Sequence, residues 1–254
     1  MKYTDLIFDL YGTLVDIHTE EDATAWEKTA FFFGFHGAAY TGPELLLSFQ
    51  TAMAARKAQA GQDYECYPDI PMEEVFAQLF RQKGICDDAL ALGTQALALF
   101  RISSLEYIRL YPGVPEALNR LRKRGFRLWL LSNAQAMCTR GELRLMGLDR
   151  AFDGIYLSSD YACRKPDKRF FDALLQGEHL DPSRCLMIGN DRDTDIAGAK
   201  ARGLATLYLH TNLTPADQAP AVPDLHPLTG SGPHWEYEGA DWIALEPILE
   251  KLAW

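Results

Sequence analysis

Polar side chains that could carry out chemistry follow four separate apolar runs of this sequence. The residues are Asp9, the pair Ser132 and Asn133, Lys165, and the acidic stretch 190–195 with Asp191, Asp193 and Asp195. Cleavage of a phosphate monoester needs a nucleophile, neutralisation of negative charge and a proton for the leaving oxygen. The set suits such chemistry, although a single Asp shortly before a Gly would by itself indicate only a turn.

The four apolar runs have the character of buried parallel strands. They are short and nearly continuous, and they lie at 6–8, 127–131, 154–157 and 185–188. Strands covered by helices on both faces show such continuous runs instead of an alternating pattern. Open α/β sheets bind ligands just outside the carboxyl ends of their strands. We therefore expect the polar residues to meet at one edge of a sheet.

Strand-like and helix-like segments alternate after residue 110. Amphipathic helices are predicted at 115–124, 139–146, 166–177 and 194–202, with a further strand at 205–209 and a terminal helix at 240–252. This alternation predicts a doubly wound α/β fold with a mainly parallel sheet and right-handed crossovers. The segment 211–239 is rich in Pro, Asp, Gly and His and lacks periodicity, which predicts a long surface loop.

A long helical insert separates the first strand from the rest of this pattern. Helices are predicted at 23–33, 43–54, 73–82 and 89–108, with a polar, proline-punctuated loop at 61–71. The insert is too long and too regular for a linker. It indicates a second, helical subdomain.

The order and spacing of the four motifs resemble those of the haloacid dehalogenase superfamily of hydrolases and phosphotransferases. The motifs are YTDLIFDLYGTLV at 3–15, LLSNA at 130–134, RKPD at 164–167 and GNDRDTD at 189–195. The resemblance implies a Rossmann-like catalytic core formed by 1–15 and 109–254. The insert 16–108 would then be a helical cap that closes over the site and selects the substrate. A helical subdomain with only a packing role is the alternative.

The resemblance also implies a role for each polar residue. Asp9 would act as the nucleophile and form an aspartyl intermediate. Thr13, or Ser132 with its backbone N–H, would hold the transferring oxygens, and Asn133 directly follows Ser132. Lys165 would neutralise the nucleophile and the phosphoryl oxygens. The function implied is that of a phosphatase acting on a small phosphomonoester.

Oxygen ligands for a magnesium ion are also present. Mg²⁺ prefers hard oxygen donors and keeps several waters, so two or three carboxylates and a carbonyl suffice. The expected ligands are Asp9, the main-chain carbonyl of Tyr11, Asp191, and Asp195 in direct or indirect support. Asp193 points elsewhere by its spacing and is expected to face solvent. A calcium-binding loop does not match, because position six from Asp191 is Ile196 instead of glycine.

Tyr11 departs from the pattern of the superfamily's phosphatases, which usually carry a second Asp there to protonate the leaving group. A phenol, with an unperturbed pKa of about 10, is a poor acid at neutral pH. Tyr at this place resembles the metal-independent 2-haloacid dehalogenases, which are the alternative function. Phe171, however, lacks the hydroxyl that dehalogenases carry six residues after the lysine, and no convincing cap arginine is evident. A catalytically silent, ligand-binding protein is a third hypothesis.

Composition and charge narrow the class of partner. The 254 residues are 48% hydrophobic, enough for a large core with an insert. A net charge of −10 argues against nucleic acid, which needs clustered Lys and Arg. Five cysteines without a C-x-x-C pair predict reduced thiols. No secretory signal or long apolar run is evident, which predicts no membrane partner. We expect a cytoplasmic monomer or homodimer that binds a small phosphorylated molecule.

Overall fold

The computed structural model describes residues 1–60, 67–214, 228–231 and 233–253. The strands are Asp5–Phe8 (β1), Val15–Thr19 (β2), Leu105–Leu110 (β3), Arg127–Ser132 (β4), Gly154–Leu157 (β5), Cys185–Gly189 (β6), Ala205–His210 (β7), Leu228–Ser231 (β8) and His234–Glu238 (β9). The helices are Ala23–Phe35 (α1), Gly42–Gln59 (α2), Met72–Gln82 (α3), Ala89–Ser104 (α4), Val114–Lys123 (α5), Ala136–Leu145 (α6), Ser158–Tyr161 (α7), Lys168–Gly177 (α8), Ala197–Ala201 (α9) and Trp242–Ala253 (α10). A 3-10 turn at Pro182–Arg184 and a π-helical turn at Arg192–Ile196 lie between them. None of the helices in these ranges is long and apolar enough to cross a membrane.

The core sheet has the strand order β5-β4-β1-β6-β7-β9-β8. Neighbouring strands from β5 to β9 run parallel, and β8 runs antiparallel to β9. In the central strand β1, Phe8 lies between Leu130 of β4 and Ile188 of β6. The ends of these three strands are therefore side by side. The predicted α/β fold is confirmed, and the core strands expected from the sequence, β1 and β4 to β7, are all present.

Helices cover both faces of the sheet, which explains the continuous apolar character of its strands. In β1, Leu6 and Phe8 pack on the side of α5 and α10, and Ile7 packs on the side of α8. The Phe8 ring lies 5.8 Å from that of Trp242 in α10. Burial of a large apolar side chain stabilises the fold by about 1.5–3 kcal/mol. Strand β1 is therefore firmly held on both faces where it ends at Asp9.

The insert after β1 has a core of its own. Helices α1 to α4 pack around buried aromatic side chains, among them Trp26, Phe33, Phe49, Phe76 and Phe100. Trp26 is central to this group, with its ring centroid 5.4 Å from Phe49 and 4.5 Å from Phe100. An antiparallel ribbon of β2 and β3 connects the insert to the core that contains the large sheet. The boundaries expected at 16 and 108 fall within this ribbon.

The predicted helix 89–108 is wrong at its carboxyl end. Helix α4 ends at Ser104, and the following residues form β3, in which Leu110 pairs with Val15 of β2. Backbone pairing with a strand far away in the sequence decides this segment, and such pairing overrides a local helical preference.

The segment 211–239, predicted as a long surface loop, contains two strands. Strand β9 extends the sheet beyond β7, and β8 pairs with β9. Trp235 and Tyr237 are buried on the same face of β9. This two-residue alternation is obscured in the sequence by the surrounding Gly and Pro residues. The loop prediction is therefore wrong for both strands, and residues 215–227 lie outside the described part of the chain.

The loop predicted at 61–71 is described only from residue 67, since 61–66 lie outside the described ranges. Its second half runs along the core. Pro68 forms an antiparallel bridge with Cys163, and Tyr67 accepts a 2.9 Å hydrogen bond from the N–H of Arg164 at its carbonyl. This segment therefore joins the insert to the loop that carries Lys165.

Candidate active site

Asp9 is the first residue after β1, and its backbone N–H donates to the carbonyl of Ile188 at 2.9 Å. Its buried carboxylate is held by three side chains. Lys165 Nζ at 2.8 Å and Ser132 Oγ at 3.3 Å donate to Oδ1, and Thr13 Oγ1 at 3.2 Å donates to Oδ2. The structure thus brings the expected nucleophile together with three of its expected partners.

Lys165 is the buried cation of this site, with a side chain only 1% exposed. Besides its bond to Asp9, the ammonium donates to the carbonyl of Leu131 at 2.7 Å and lies 2.6 Å from Asp195 Oδ1. Burial alone would lower the pKa of Lys165, but the charges and hydrogen bonds of Asp195 and Asp9 raise it above its ordinary value. The ammonium therefore stays charged and is shared between two carboxylates.

Asn133 binds the backbone of Lys165. Its Oδ1 accepts a 2.7 Å hydrogen bond from the Lys165 N–H, and its Nδ2 donates to the Lys165 carbonyl at 3.0 Å. The peptide bond from Lys165 to Pro166 is cis. The two hydrogen bonds fix the lysine's loop to the end of β4, where Ser132 binds Asp9. Asn133 is therefore a positioning residue for Lys165.

Asp195 is the second carboxylate beside the ammonium. It lies in the π-helical turn after β6, is fully buried, and accepts a 3.1 Å hydrogen bond at Oδ2 from the N–H of Asp191. Gly189 leaves space for it, because a Cβ there would collide with the Asp195 carboxylate. Burial and the charge of Asp9 hold the pKa of Asp195 above its usual range, against the opposing effect of Lys165. Two buried carboxyl groups therefore share the Lys165 ammonium.

Asp191 caps the helical turn that follows it. Its Oδ1 accepts hydrogen bonds from the N–H groups of Asp193 at 2.9 Å and Thr194 at 3.0 Å. Asp193 is exposed, as its spacing indicated. One oxygen of Asp191 is thus used for capping, and a role for this residue as a metal ligand stays a prediction.

Asn190 is a residue of the site that sequence reasoning missed. It directly follows β6, its Oδ1 lies 3.4 Å from Thr13 Oγ1, and its Nδ2 donates to the carbonyl of Leu213 at 3.1 Å. Thr13 also binds Asp9, so the Asn190 amide lies next to the nucleophile. Gly12, with a φ of +83°, makes this approach possible, because a Cβ would collide with the amide. The sequence does carry a signal that could have identified Asn190, namely an amide side chain close after an apolar, strand-like run.

The Tyr11 phenol is bound by side chains of α6. Its hydroxyl donates to Glu142 and lies 3.0 Å from Thr139 Oγ1. Burial, together with the charge of Glu142, raises the pKa of Tyr11 far above its ordinary value. The phenol keeps its proton and directs it to a carboxylate. Tyr11 is therefore not arranged as the acid for a leaving group.

Arg101 of α4 reaches from the insert to the same glutamate. Its Nε lies 2.6 Å from Glu142 Oε1, and its Nη2 lies 3.4 Å from Oε2. The guanidinium carbon lies 5.8 Å from the centroid of the Tyr11 ring. Sequence reasoning found no arginine of the insert suited to this site, and it did not single out Glu142. The two residues are 41 positions apart, and no local pattern links them.

A cavity of about 340 Å³ lies beside these residues, between the insert and the core. The insert lines it with Leu97, Phe100 and Arg101, and the core lines it with Tyr11 and Asn133, which follow β1 and β4. Cavities of this volume are in the range of small-molecule sites. The cavity can therefore hold a small molecule between the insert and the ends of β1 and β4.

Hydrogen bonds hold the insert against the core at this cavity. Gln135 Oε1 accepts from the Met72 N–H at 2.9 Å, and Gln135 Nε2 donates to Asp69 Oδ1 at 3.1 Å. Ser158 Oγ donates to Asp69 Oδ2 at 2.5 Å. The insert covers the cavity in this arrangement, and its opening and closing stay a prediction.

The oxygen atoms around Asp9 suit a hard divalent cation. Asp9 and Asp195 supply buried carboxyl oxygens, and Asn190 supplies an amide oxygen. Among the residues that the structure describes, no group of three His, Cys, Asp or Glu side chains converges as a ligand set. Mg²⁺ usually keeps several waters and needs only one or two carboxylates plus substrate phosphate. The donor set therefore fits Mg²⁺.

Known proteins similar to this chain include hydrolases of phosphate esters. A family model for haloacid dehalogenase-like hydrolases matches residues 6–203. A 5′-nucleotidase of Pseudomonas aeruginosa is 32% identical over 258 residues, which cover 99% of this chain and 97% of that protein. A glyceraldehyde 3-phosphate phosphatase of Methanothermobacter thermautotrophicus is 25% identical over 161 residues, or 63% of this chain and 67% of that protein.

A solved structure with the same fold is a 2-haloacid dehalogenase from Pseudomonas syringae pv. Tomato DC3000. It has a TM-score of 0.67 and 19% sequence identity, with coverage of 98% of this chain and 99% of that chain. At this level of identity the likeness shows the fold alone. The distinction between phosphatase and dehalogenase chemistry therefore depends on the residues of the site.

Proposed function

Since this chain belongs to the haloacid dehalogenase-like hydrolases, we propose that it is a phosphatase that cleaves a small phosphomonoester through a phosphorylated Asp9 and uses Mg²⁺. Family membership confirms the resemblance carried by the four motifs, and the phosphatase and nucleotidase relatives support hydrolysis of phosphate esters. The strongest support is the buried Asp9 carboxylate, which Lys165, Ser132 and Thr13 hold at the end of β1. Nucleoside 5′-monophosphates are the first substrates to test, because a relative that matches nearly the whole chain is a 5′-nucleotidase.

The proposed reaction has two steps at phosphorus. In the first step, Asp9 Oδ2 forms a bond to phosphorus while the bond from phosphorus to the leaving oxygen breaks, and this oxygen takes a proton from water. In the second step, water attacks phosphorus, a proton of this water passes to the hydroxide left by the first step, and the bond to Asp9 breaks. Inorganic phosphate leaves, and the carboxylate is restored. Lys165 and Ser132 bind Oδ1, which orients the other oxygen for attack.

Charge neutralisation by the chain itself comes from Lys165. Its ammonium is fixed by three oxygen contacts, so it needs no rearrangement as negative charge develops on the phosphoryl group. Asn133 supports this role by holding the lysine backbone in place.

The magnesium ion would be held by oxygen atoms at the same strand ends. The proposed ligands are Asp9, the Tyr11 carbonyl and Asp195, with Asn190 and Asp191 as candidates for a further position. When bound, the ion supplies positive charge that stabilises the transferring phosphoryl group. The chain contributes a buried, oxygen-lined position next to Asp9, which suits a hard cation.

A 2-haloacid dehalogenase is the second candidate, favoured by Tyr11 and by the shared fold. Two observations weigh against it. A 2-haloacid carries a carboxylate, but Arg101, the cation among the described residues that line the cavity, is already paired with Glu142. Phe171 lies fully buried against the Trp129 side of the sheet and has no hydroxyl to offer the site. The arrangement therefore supports a phosphate ester as substrate.

The deciding experiment is an assay of phosphomonoesters and 2-haloacids, each with and without Mg²⁺, on the wild type and Asp9→Asn. We expect release of inorganic phosphate from esters only with Mg²⁺, and loss of this release in Asp9→Asn. Release of halide from a 2-haloacid without metal, with no phosphate from any ester, would establish the dehalogenase instead. A folded wild type that turns over neither class but binds Mg²⁺ would establish the silent binding protein.

A further inference from the structure

Glu142 of the core and Arg101 of the insert form the charged pair at the wall of the cavity. Arg101 binds Glu142 through two nitrogens, at 2.6 Å and 3.4 Å, and the second carboxylate oxygen also accepts from the Tyr11 hydroxyl. Side-chain exposure is 24% for Arg101 and only 9% for Glu142. Paired, charge-assisted hydrogen bonds of this type are strong and directional. The Arg101 guanidinium is therefore bound by a carboxylate of the protein.

This pairing decides the charge that the cavity presents to a substrate. Among the described residues lining it, the charged ones are Arg101 and Glu21. Glu142 cancels the charge of Arg101, and Glu21 adds a negative one. Leu97 and Phe100 contribute apolar surface. The leaving-group side of the site thus has no uncompensated positive charge.

An anionic leaving group would be disfavoured in such a cavity. A carboxylate or second phosphate moved from water into it would lose hydration without gaining a free cation. Arg101 could bind the anionic leaving group only by leaving Glu142. The buried Glu142 carboxylate would then be unpaired, which is itself unfavourable. An uncharged leaving group avoids both costs and can use the apolar surface.

We propose that Glu142 determines the substrate class of this enzyme: by occupying Arg101, it makes the cavity select phosphomonoesters whose leaving group is an uncharged alcohol and reject those whose leaving group carries a second anion. This inference rests on the proposed phosphatase function and narrows it. A nucleoside or a neutral polyol is a leaving group of the selected class, whereas a hydroxy acid belongs to the rejected class.

The test uses two substrates of nearly equal size that differ in the charge of the leaving group. They are 2-hydroxyethyl phosphate, with a neutral leaving group, and 2-phosphoglycolate, with a carboxylate. We expect the wild type to favour the neutral ester in kcat/KM by at least about tenfold, since an unmatched charge is strongly disfavoured in a site of this kind. In Glu142→Gln, which frees Arg101 and keeps the shape of the side chain, the ratio should move toward 2-phosphoglycolate by at least about tenfold for the same reason.

Two further variants separate charge selection from a structural effect. Arg101→Gln/Glu142→Gln removes the freed cation and should return the ratio to that of the wild type. Glu246→Gln is the matched control, because Glu246 is also a buried glutamate paired with arginines, Arg120 and Arg124, but belongs to the contact of α5 with α10. It should leave the ratio unchanged. Thermal unfolding checks that each variant is folded.

Several outcomes would overturn the inference. The first is a wild type that favours 2-phosphoglycolate. The second is a folded Glu142→Gln whose kcat/KM ratio for the two esters equals that of the wild type. The third is a shifted ratio that persists in Arg101→Gln/Glu142→Gln. If Glu142→Gln does not fold, a wild-type ratio that favours 2-phosphoglycolate still overturns the inference. The failure of this inference can be distinguished from the failure of the proposed function. A wild type that releases phosphate from no ester would overturn the phosphatase function and, with it, the role of Glu142. Release from both esters in the wrong ratio would overturn only the role of Glu142.

Discussion

Lys165 Nζ lies 2.8 Å from Asp9 Oδ1, inside the protein and at the meeting point of three strands. The ammonium also lies 2.6 Å from Asp195 Oδ1. One buried cation therefore holds two buried carboxylates that would otherwise repel each other. This relationship links the stability of the core to the chemistry at its edge.

Replacement of the lysine should therefore lower stability as well as activity. We expect Lys165→Met to reduce the free energy of unfolding by about 3–5 kcal/mol, because removing one partner of a buried ion pair leaves the other charge unpaired. Lys165→Met/Asp195→Asn should recover part of this loss without recovering turnover. Denaturant unfolding measures both.

The control for this prediction is an exposed ion pair. Arg140 and Asp160 are 51% and 34% exposed, and their contact is 2.7 Å long. Arg140→Met should change the unfolding free energy by only about 0–1 kcal/mol, because solvent screens such pairs. Equal losses for Lys165→Met and Arg140→Met would contradict the account of Lys165 as the cation of a buried cluster.

Gly12 and Gly203 form a matched pair for testing the approach of Asn190 to the nucleophile. Both have a positive φ, +83° and +76°, but an added Cβ collides with the Asn190 amide at Gly12 and meets open space at Gly203. We expect Gly203→Ala to cost about 1–2 kcal/mol from backbone strain alone. Gly12→Ala should cost more and should abolish turnover. Similar stability and retained activity in both variants would show that this contact is unimportant.

Metal binding should depend on the oxygen atoms nearest Asp9. We expect Asn190→Ala and Asp195→Asn to weaken Mg²⁺ binding by about 10–100-fold, the usual loss when groups supporting a metal are removed. Asp191→Ala should also weaken it, and more than Asp193→Ala, because Asp193 is exposed. Titration calorimetry with Mg²⁺ measures all four variants. If Asp191→Ala lowers helix stability but binds Mg²⁺ like the wild type, Asp191 is a capping residue and not a ligand.

Tyr11 leaves the leaving oxygen without a side-chain acid, since its phenol is bound to Glu142. Tyr11→Phe should thus keep the wild-type ratio of alkyl to aryl phosphate turnover. Tyr11→Asp should raise this ratio, because a general acid is worth about 10²–10⁴-fold and matters most for poor leaving groups. The neighbouring Glu142 would raise the pKa of the introduced carboxyl and keep it protonated. A folded Tyr11→Asp that binds Mg²⁺ but shows an unchanged or lower ratio would contradict the missing acid.

The strand ends of the site could be predicted from the sequence for a simple physical reason. Strands β1, β4 and β6 are covered on both faces, so each is a continuous apolar run, and the first polar residue after it is conspicuous. Asp9 and Ser132 were found in this way, and the structure brings them into contact. Lys165, which also contacts Asp9, follows β5 only after several other polar residues and was identified from the RKPD motif at 164–167.

The remaining features depend on contacts between distant parts of the chain. Asn190 and Asp191 are adjacent oxygen-bearing residues, and only the fold shows that Asn190 lies by Thr13 while Asp191 caps a helix. The pairing of Arg101 with Glu142 joins two helices from different subdomains. The strands β2, β3 and β9 likewise pair with strands remote in sequence, which local periodicity does not reveal.

The most direct test of the central claim is to trap phosphate on Asp9. The wild type is mixed with Mg²⁺ and a neutral phosphomonoester, quenched within one turnover and reduced with borohydride, which converts an aspartyl phosphate to homoserine. Peptide mass spectrometry should then find homoserine at position 9 in the wild type and none in Asp9→Asn, which should also release no phosphate. Steady release of phosphate from the ester by both proteins, with an unmodified position 9 in the wild type, would contradict the assignment of Asp9 as the nucleophile.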